Sequence, residues 1–198
     1  LVRGSDKLVP PSIFDIKMND FIFVHIPKTG GTSILSKIDQ RSWIKYAPFG
    51  HDPLFVLEKN NNLSDVFSFC VVRNPYRRIF SYFNHFKKMN DIDCSFNDFL
   101  YFIKSNQHFD KTPMIVYPQS FYVYNNQGEI GIDKIYRYEQ FEEIEIDFKV
   151  KFEKLNVGNY TKEDYQLVYE NQENVDLVKE LFYVDFVNFQ YSQDENYL

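Results

Sequence analysis

Apolar positions along this chain fall into a few short continuous runs, with longer stretches of helical period between them. Residues 21–26 are apolar and bounded by Asp20 and Pro27, which reads as a buried parallel strand. From Ser33 the period changes, and Ile34, Leu35 and Ile38 share one helix face. Residues 43–47 read as a short strand, 50–53 as a turn, and 54–59 as a helical turn or two before the Asn-rich loop 60–62. Residues 66–72, "VFSFCVV", form the second clear strand and run into Arg73, Asn74 and Pro75. Proline at a first helical position is a common start, and residues 76–89 follow with Tyr76, Ile79, Phe80, Phe83 and Phe86 on one face. Ser95 with Asp98 predicts a capped helix to residue 104, and Thr161 with Asp164 a second to residue 170. A third strand is predicted over 134–138, and further helices over 141–155 and 174–184. Strands alternating with helices predict an α/β domain with a mainly parallel sheet. Ligands of such sheets bind at the carboxyl ends of strands, and the two least ordinary segments, 27–33 and 73–81, both follow a strand.

Composition narrows the classes of function. A length of 198 residues suits one domain with a full core, and 19% aromatic residues supply ample burial. The net charge of −6 argues against a nucleic-acid partner, which needs a broad basic surface, but permits a small anion held in a locally basic cleft. Cys70 and Cys94 lack metal-ligand spacing, and Cys70 reads as a reduced core residue. No run reaches the roughly 20 apolar residues of a membrane span, and no signal peptide is visible. The expectation is a cytoplasmic protein if the source is bacterial, with a lumenal Golgi fragment left open. Residues 1–17 read as a vector remnant or loose arm with Met18 as a natural start, 18–191 as the single domain, and 192–198 as a polar tail.

The segment "PKTGGTS", 27–33, suits an anion. Gly30 and Gly31 let backbone approach a ligand, and the helix that follows has unpaired N–H groups at its start. Thr32 and Ser33 add hydroxyls, and Lys28 adds a point charge. The order differs from the G-x-x-x-x-G-K-[ST] loop of nucleotide kinases, since Lys28 precedes the glycines. No acidic strand end offers itself as a magnesium ligand either, because Val72 runs directly into Arg73. In "VVRNPYRRIFSYF", Arg73 presents a fork of donors at a strand end, and the Ser81 hydroxyl can join the same anion. Arg78 reads as an ion-pair partner of a nearby carboxylate.

"HIPKTGGTS" followed some 40 residues later by "VRNPYRRIFSYF" resembles the sulfotransferases that use 3′-phosphoadenosine 5′-phosphosulfate. The likeness is nearest to carbohydrate enzymes of the heparan-sulfate 2-O and 6-O type and their bacterial relatives. It continues through "PQSFYV", "IDKIYRYEQFEE" and "LFYVDFVNFQY", and so spans nearly all of 18–191. The resemblance implies a P-loop-type three-layer domain, its central sheet flanked by helices. It implies that Lys28, Thr29, Gly30, Gly31, Thr32 and Ser33 bind the 5′-phosphosulfate and that Arg73 and Ser81 bind the 3′-phosphate. It implies sulfuryl transfer to a hydroxyl, most often of a carbohydrate or other small acceptor, with 3′,5′-bisphosphoadenosine as product and no required metal.

In-line transfer needs a base for the acceptor's proton and a group that steadies the leaving oxygen. Lys28 suits the second task. Histidine suits the first, and His51 in "FGHDP" stands where related enzymes carry a Gly-His or Lys-His element whose histidine is the base. Asp52 is expected to orient that imidazole or to cap the following helix. His25, inside a strand, reads as structural; His85 reads as exposed and His108 as a loop residue. Relatives frequently show H-x-x-P-Q where this chain has "IVYPQ", so Ile115 replaces a histidine, and Tyr117 or His108 is a substitute at the acceptor side. Arg77 stands where an acid is frequent. Arg137 reads either as a ligand of donor or acceptor or as a plain ion-pair residue, and Glu139 as a structural anchor. Two other readings stay open at this point: a kinase-like phosphotransferase with an aberrant loop, and a non-catalytic nucleotide-binding module. The acceptor, the oligomeric state and the adenine contacts are open too, with residues 156–160 the candidate for adenine.

Overall fold

The computed structural model describes residues 21–37, 50–63, 66–106, 116–153, 155, 158 and 160–194. The strand expected over 43–47, the positions of His108 and Ile115, and most of the 156–160 loop lie outside the described residues.

Three short strands form one parallel sheet: β1 (Phe21–Val24), β2 (Phe67–Val72) and β3 (Lys134–Arg137), in the order β1-β2-β3. All four residues of β1 and five of the six in β2 are buried, which is why both read as unbroken apolar runs. Val24 pairs with Cys70, and Val72 pairs with Arg137. That register brings three turns to one end of the sheet: residues 25–30, Arg73 with Asn74, and Tyr138. The chain is therefore an α/β domain built on a small parallel sheet.

Helices α1 (Gly31–Leu35) and α2 (Leu54–Asn60) lie between β1 and β2. The crossover from β2 to β3 contains α3 (Pro75–Asn90), α4 (Phe96–Asn106) and α5 (Gln119–Val123). After β3 come α6 (Glu142–Asp147), α7 (Lys162–Tyr169), α8 (Gln172–Leu181) and α9 (Tyr183–Asn188). Thr161 and Asp164 form the reciprocal cap of α7, and Ser95 accepts from the Asp98 N–H beside α4.

Two departures from the sequence reading have local causes. The helix expected to run from 141 to 155 stops at Asp147, because Lys149 turns left-handed at φ 47° and the Val150 N–H closes back on the Glu145 carbonyl. The helix expected over 174–184 starts earlier, where Asn171 accepts from the Glu173 N–H, and breaks at Phe182 into α8 and α9.

Apolar burial divides into two clusters. One surrounds the sheet and includes Phe23, Phe69, Tyr136 and Ile144. The other contains no strand residue: Tyr76, Phe80, Phe83, Phe96, Phe99, Tyr169, Val178 and Phe186 come from α3, α4, α7, α8 and α9. A buried polar seam ties helices to sheet. Arg78 of α3 donates through Nε to the Pro27 carbonyl at 3.1 Å and through Nη1 to the Tyr117 carbonyl at 3.0 Å. The carboxylate whose charge favours this buried guanidinium is Asp185 of α9, and the Pro27 and Tyr117 carbonyls are among its direct partners. Asp185 also accepts from the N–H groups of Gln119 and Ser120 at 2.7 and 2.8 Å and from the Ser120 hydroxyl at 2.8 Å.

Removing one member of a buried charged network costs about 3–5 kcal/mol, since its partners are left unsatisfied. Asp185→Ala should lower the unfolding free energy by about that amount in urea titrations. A loss under about 1 kcal/mol, the ordinary size of a single neutral hydrogen bond, would show that the carboxylate does not carry the seam.

Candidate active site

The segment after β1 is shaped by its own side chains before any ligand is considered. Lys28 stands at φ 69° and Gly30 at φ 87°, so two residues of this short loop are left-handed. The Thr29 hydroxyl donates to the Ile26 carbonyl at 2.8 Å, and Thr29 is fully buried. The two glycines are needed for different reasons. Gly30 requires its positive φ, and a Cβ there would meet the Tyr138 ring at 3.0 Å. A Cβ on Gly31 would overlap the imidazole of His25. The expectation that both glycines clear space for a ligand is thus corrected: at Gly31 the space is filled by the protein. Ser33 is buried, and its oxygen accepts from the Leu155 N–H at 3.0 Å. Thr29 and Ser33 therefore turn their side chains into the fold, whereas Lys28, Gly30, Gly31 and Thr32 line a cleft.

Arg73 reaches the same cleft from the end of β2. Its backbone is clamped on both sides by Gln119, which accepts from the Arg73 N–H and donates to the Arg73 carbonyl, each at 2.8 Å. The guanidinium donates from Nη1 to the Lys28 carbonyl at 3.2 Å and lies 4.3 Å from the centre of the Tyr138 ring. Its buried Nε has no hydrogen-bond partner among the described residues. Asn74 caps α3 by accepting from the N–H groups of Tyr76 and Arg77. Glu139 accepts the Asn74 N–H at 2.9 Å and the Tyr191 hydroxyl at 2.8 Å, so it anchors the Arg73 turn. Ser81 lies two helical turns along α3 and lines the cleft with Arg73.

His51 lines the cleft as well, with Nδ1 2.8 Å from the His25 carbonyl. A carbonyl only accepts, so Nδ1 carries the hydrogen. In the neutral ring Nε2 is then the free base. This carbonyl orients the ring through Nδ1, and Pro53 at the start of α2 makes no side-chain cap. Arg137 is turned to the C-terminal segment: Nη2 donates to the Phe189 carbonyl at 2.6 Å, and the guanidinium stacks on Tyr191. The Tyr117 ring stacks on Phe121 at 4.7 Å. Asp52, Tyr117 and Arg137 are not among the residues that line the cleft.

The cleft encloses about 530 Å³. Its charged and titratable lining residues are Lys28, Arg73, Lys88, Tyr138 and three histidines, His25, His51 and His85; no Asp or Glu lines it among the described residues. On a chain of net charge −6, that is a local reversal of sign. Burial, then the Arg73 charge, pulls the Lys28 ammonium below the usual lysine range. The His85 imidazole is lowered by partial burial and by Lys28 and Lys88. Among the described residues, no group of three or more His, Cys, Asp or Glu is arranged to hold a metal ion, and no helix is long and apolar enough to cross a membrane.

Asn84, His85 and Lys88 were not expected at the site. Counted from Ser81, His85 and Lys88 fall at i+4 and i+7, so helical period alone puts them on one stripe. Tyr138 has no comparable signal beyond its position just after a strand. Compared with family models, with curated proteins and with solved structures, the chain has no match. The functional reading rests on the chemistry of the cleft.

Burial and the neighbouring His51 hold the His25 pKa at about 3, below the ordinary 6.5. The unfolded chain thus binds a proton here that the folded chain refuses. Stability from this group is complete above pH 6.5 and is lost as pH falls toward 3, with a slope of up to about 1.4 kcal/mol per pH unit. Urea unfolding of the wild type and of His25→Asn at several pH values isolates the effect. The difference between the two should shrink as pH drops through this window; a difference independent of pH would contradict a neutral buried imidazole.

Proposed function

We propose that this protein is a sulfotransferase. It would move a sulfuryl group from 3′-phosphoadenosine 5′-phosphosulfate to a hydroxyl of a carbohydrate or other small acceptor. The observation that carries the reading is the convergence of two basic elements on one cleft free of carboxylates. The loop bearing Lys28 and the Arg73 turn share a wall, and the free nitrogen of His51 belongs to the same space. A ligand with two anionic ends matches two groups of donors. The partnerless Nε of Arg73 supports an anion there, since a buried guanidinium N–H without an acceptor is costly.

In this reading Arg73 and Ser81 hold the 3′-phosphate. Lys28, Thr32 and the backbone of Gly30 and Gly31 hold the 5′-phosphosulfate. His51 Nε2 takes the proton of the acceptor hydroxyl as its oxygen bonds to sulfur. The bond from sulfur to the bridging oxygen breaks, and the bisphosphate leaves with that electron pair, steadied by Lys28. The Lys28 ammonium is disfavoured in the empty cleft and gains most when negative charge arrives. A kinase-like reaction calls for carboxylates to hold magnesium beside the phosphates, and the lining residues provide none.

Calorimetric titration with 3′,5′-bisphosphoadenosine in EDTA tests the proposal. Binding should persist without divalent metal, and Lys28→Ala should weaken it by about 10- to 100-fold, the value of a charge-assisted bond. His51→Ala should keep the bisphosphate affinity within about threefold, a free-energy change below 1 kcal/mol, and abolish transfer from labelled donor to a sugar panel. ATP binding that depends on magnesium, with no binding of the bisphosphate, would replace this reading with the phosphotransferase one.

A further inference from the structure

We propose that His25 is a positioning residue whose ring couples the anion-binding loop to His51, so that loop geometry and base orientation are set together. The inference rests on the reading of His51 as the base. Its support is geometric. The imidazole of His25 fills the volume that a Cβ on Gly31 would need, so it props the loop from beneath. The same ring lies 4.2 Å from the His51 ring, centre to centre, at a tilt of 47°. Phe23 floors it at 5.5 Å in a stacked arrangement.

The two histidines are tied to each other's backbone. His51 Nδ1 donates to the His25 carbonyl at 2.8 Å, and the His25 side chain hydrogen-bonds the backbone of Gly50, the residue before His51. This pair of bonds latches the end of β1 to the 50–51 turn. Gly50 is itself left-handed at φ 78°, a conformation that suits glycine. Cut the His25 tie, and the base keeps one hydrogen bond and loses the wall beside it.

A phenylalanine at 25 would fill the same floor without the cost of burying a polar ring. Two things distinguish histidine: a ring N–H for Gly50, and a neutral polar neighbour for a base that must become positive. A charged neighbour at 4.2 Å would oppose proton uptake by His51. The other charged or titratable groups around the pair are Lys28 in the loop, Arg73 at the end of β2, His85 and Lys88 on α3, Tyr138 after β3, and Asp52 beside His51.

The test compares wild type, His25→Phe and His25→Asn, each first checked for cooperative thermal unfolding. His25→Phe should keep bisphosphate affinity within about threefold, below 1 kcal/mol. It should lower kcat by about 10- to 100-fold, the penalty for a misplaced catalytic group, and shift the acid limb of the rate profile. His25→Asn, which retains a donor for Gly50, should recover part of that loss. Imidazole nitrogen NMR supplies a readout independent of turnover: His51 should be held as the Nδ1–H tautomer in both proteins, because its partner is a backbone carbonyl, while its ring resonances should shift in His25→Phe as the neighbouring ring changes. Unchanged kcat and an unchanged His51 spectrum in His25→Phe would overturn the inference while leaving the sulfotransferase reading intact. If the wild type transfers no sulfuryl group but the spectrum responds, the coupling stands and the proposed reaction falls.

Discussion

Gln119 grips Arg73 by both backbone groups, and the architecture of the cleft depends on that grip. A short parallel strand ends at Val72, and the next residue must leave the ladder while its side chain is aimed at one point. A backbone so placed has a donor and an acceptor to satisfy, and Gln119 satisfies both with one amide. Gln119 is in turn held by Asp185, which receives the first N–H groups of α5. The cation of the site is thus fixed through a glutamine to a carboxylate on a helix 66 residues beyond that glutamine in sequence. The gain from each such bond is modest, but the penalty for leaving any member unmade is larger. The network therefore favours one arrangement of Arg73 rather than adding much net stability.

The electrostatics follow from where acids are absent. Asp185 and Glu139 both lie close to the site in the network, yet each is used up on N–H and O–H donors with its charge turned into the seam. Neither lines the cleft, and among the described residues no carboxylate lines it beside Lys28, Arg73 and Lys88. Anions are then drawn to one cavity on an otherwise acidic chain. At physiological salt, charge elsewhere on the surface is damped beyond about 8 Å, whereas contacts inside the cleft are less screened.

Much of the fold was legible because its signals were local. Residues 21–24 and 67–72 are buried on both faces, and unbroken apolar runs announce that. The caps at Thr161 and Ser95 are short motifs with a direct mechanism. What escaped is non-local or chemically silent. Helix α6 stops at Asp147, just before the left-handed Lys149, a turn made without glycine, so no residue type marked the stop. Gln119 was part of a recognised string, but its clamp is defined by a partner 46 positions earlier. Gly31 was read for the right property and the wrong neighbour: its missing Cβ makes room for His25, a residue six places back, just past the end of β1. Arg137 was left between a ligand role and a plain ion pair, and its contacts with the Phe189 carbonyl and the Tyr191 ring depend on a segment more than 50 positions later that spacing does not reveal.

The left-handed Lys28 shows how the loop is prepared in advance. A non-glycine residue in that region costs about 1–2 kcal/mol, so the conformation persists only if neighbours impose it. They do so from both sides. The carbonyl before Lys28, on Pro27, is taken by Arg78, and the carbonyl of Lys28 itself by Arg73. The Thr29 hydroxyl then closes the turn onto Ile26. With the Pro27 and Lys28 carbonyls occupied, Lys28 is held on the lining of the cleft. An arriving anion meets donors already oriented, and the strain has been met by the arginine seam rather than by the ligand. Burial and the Arg73 charge disfavour the Lys28 ammonium, and the same Arg73 holds the Lys28 carbonyl, so the cation is kept where arriving negative charge relieves it most.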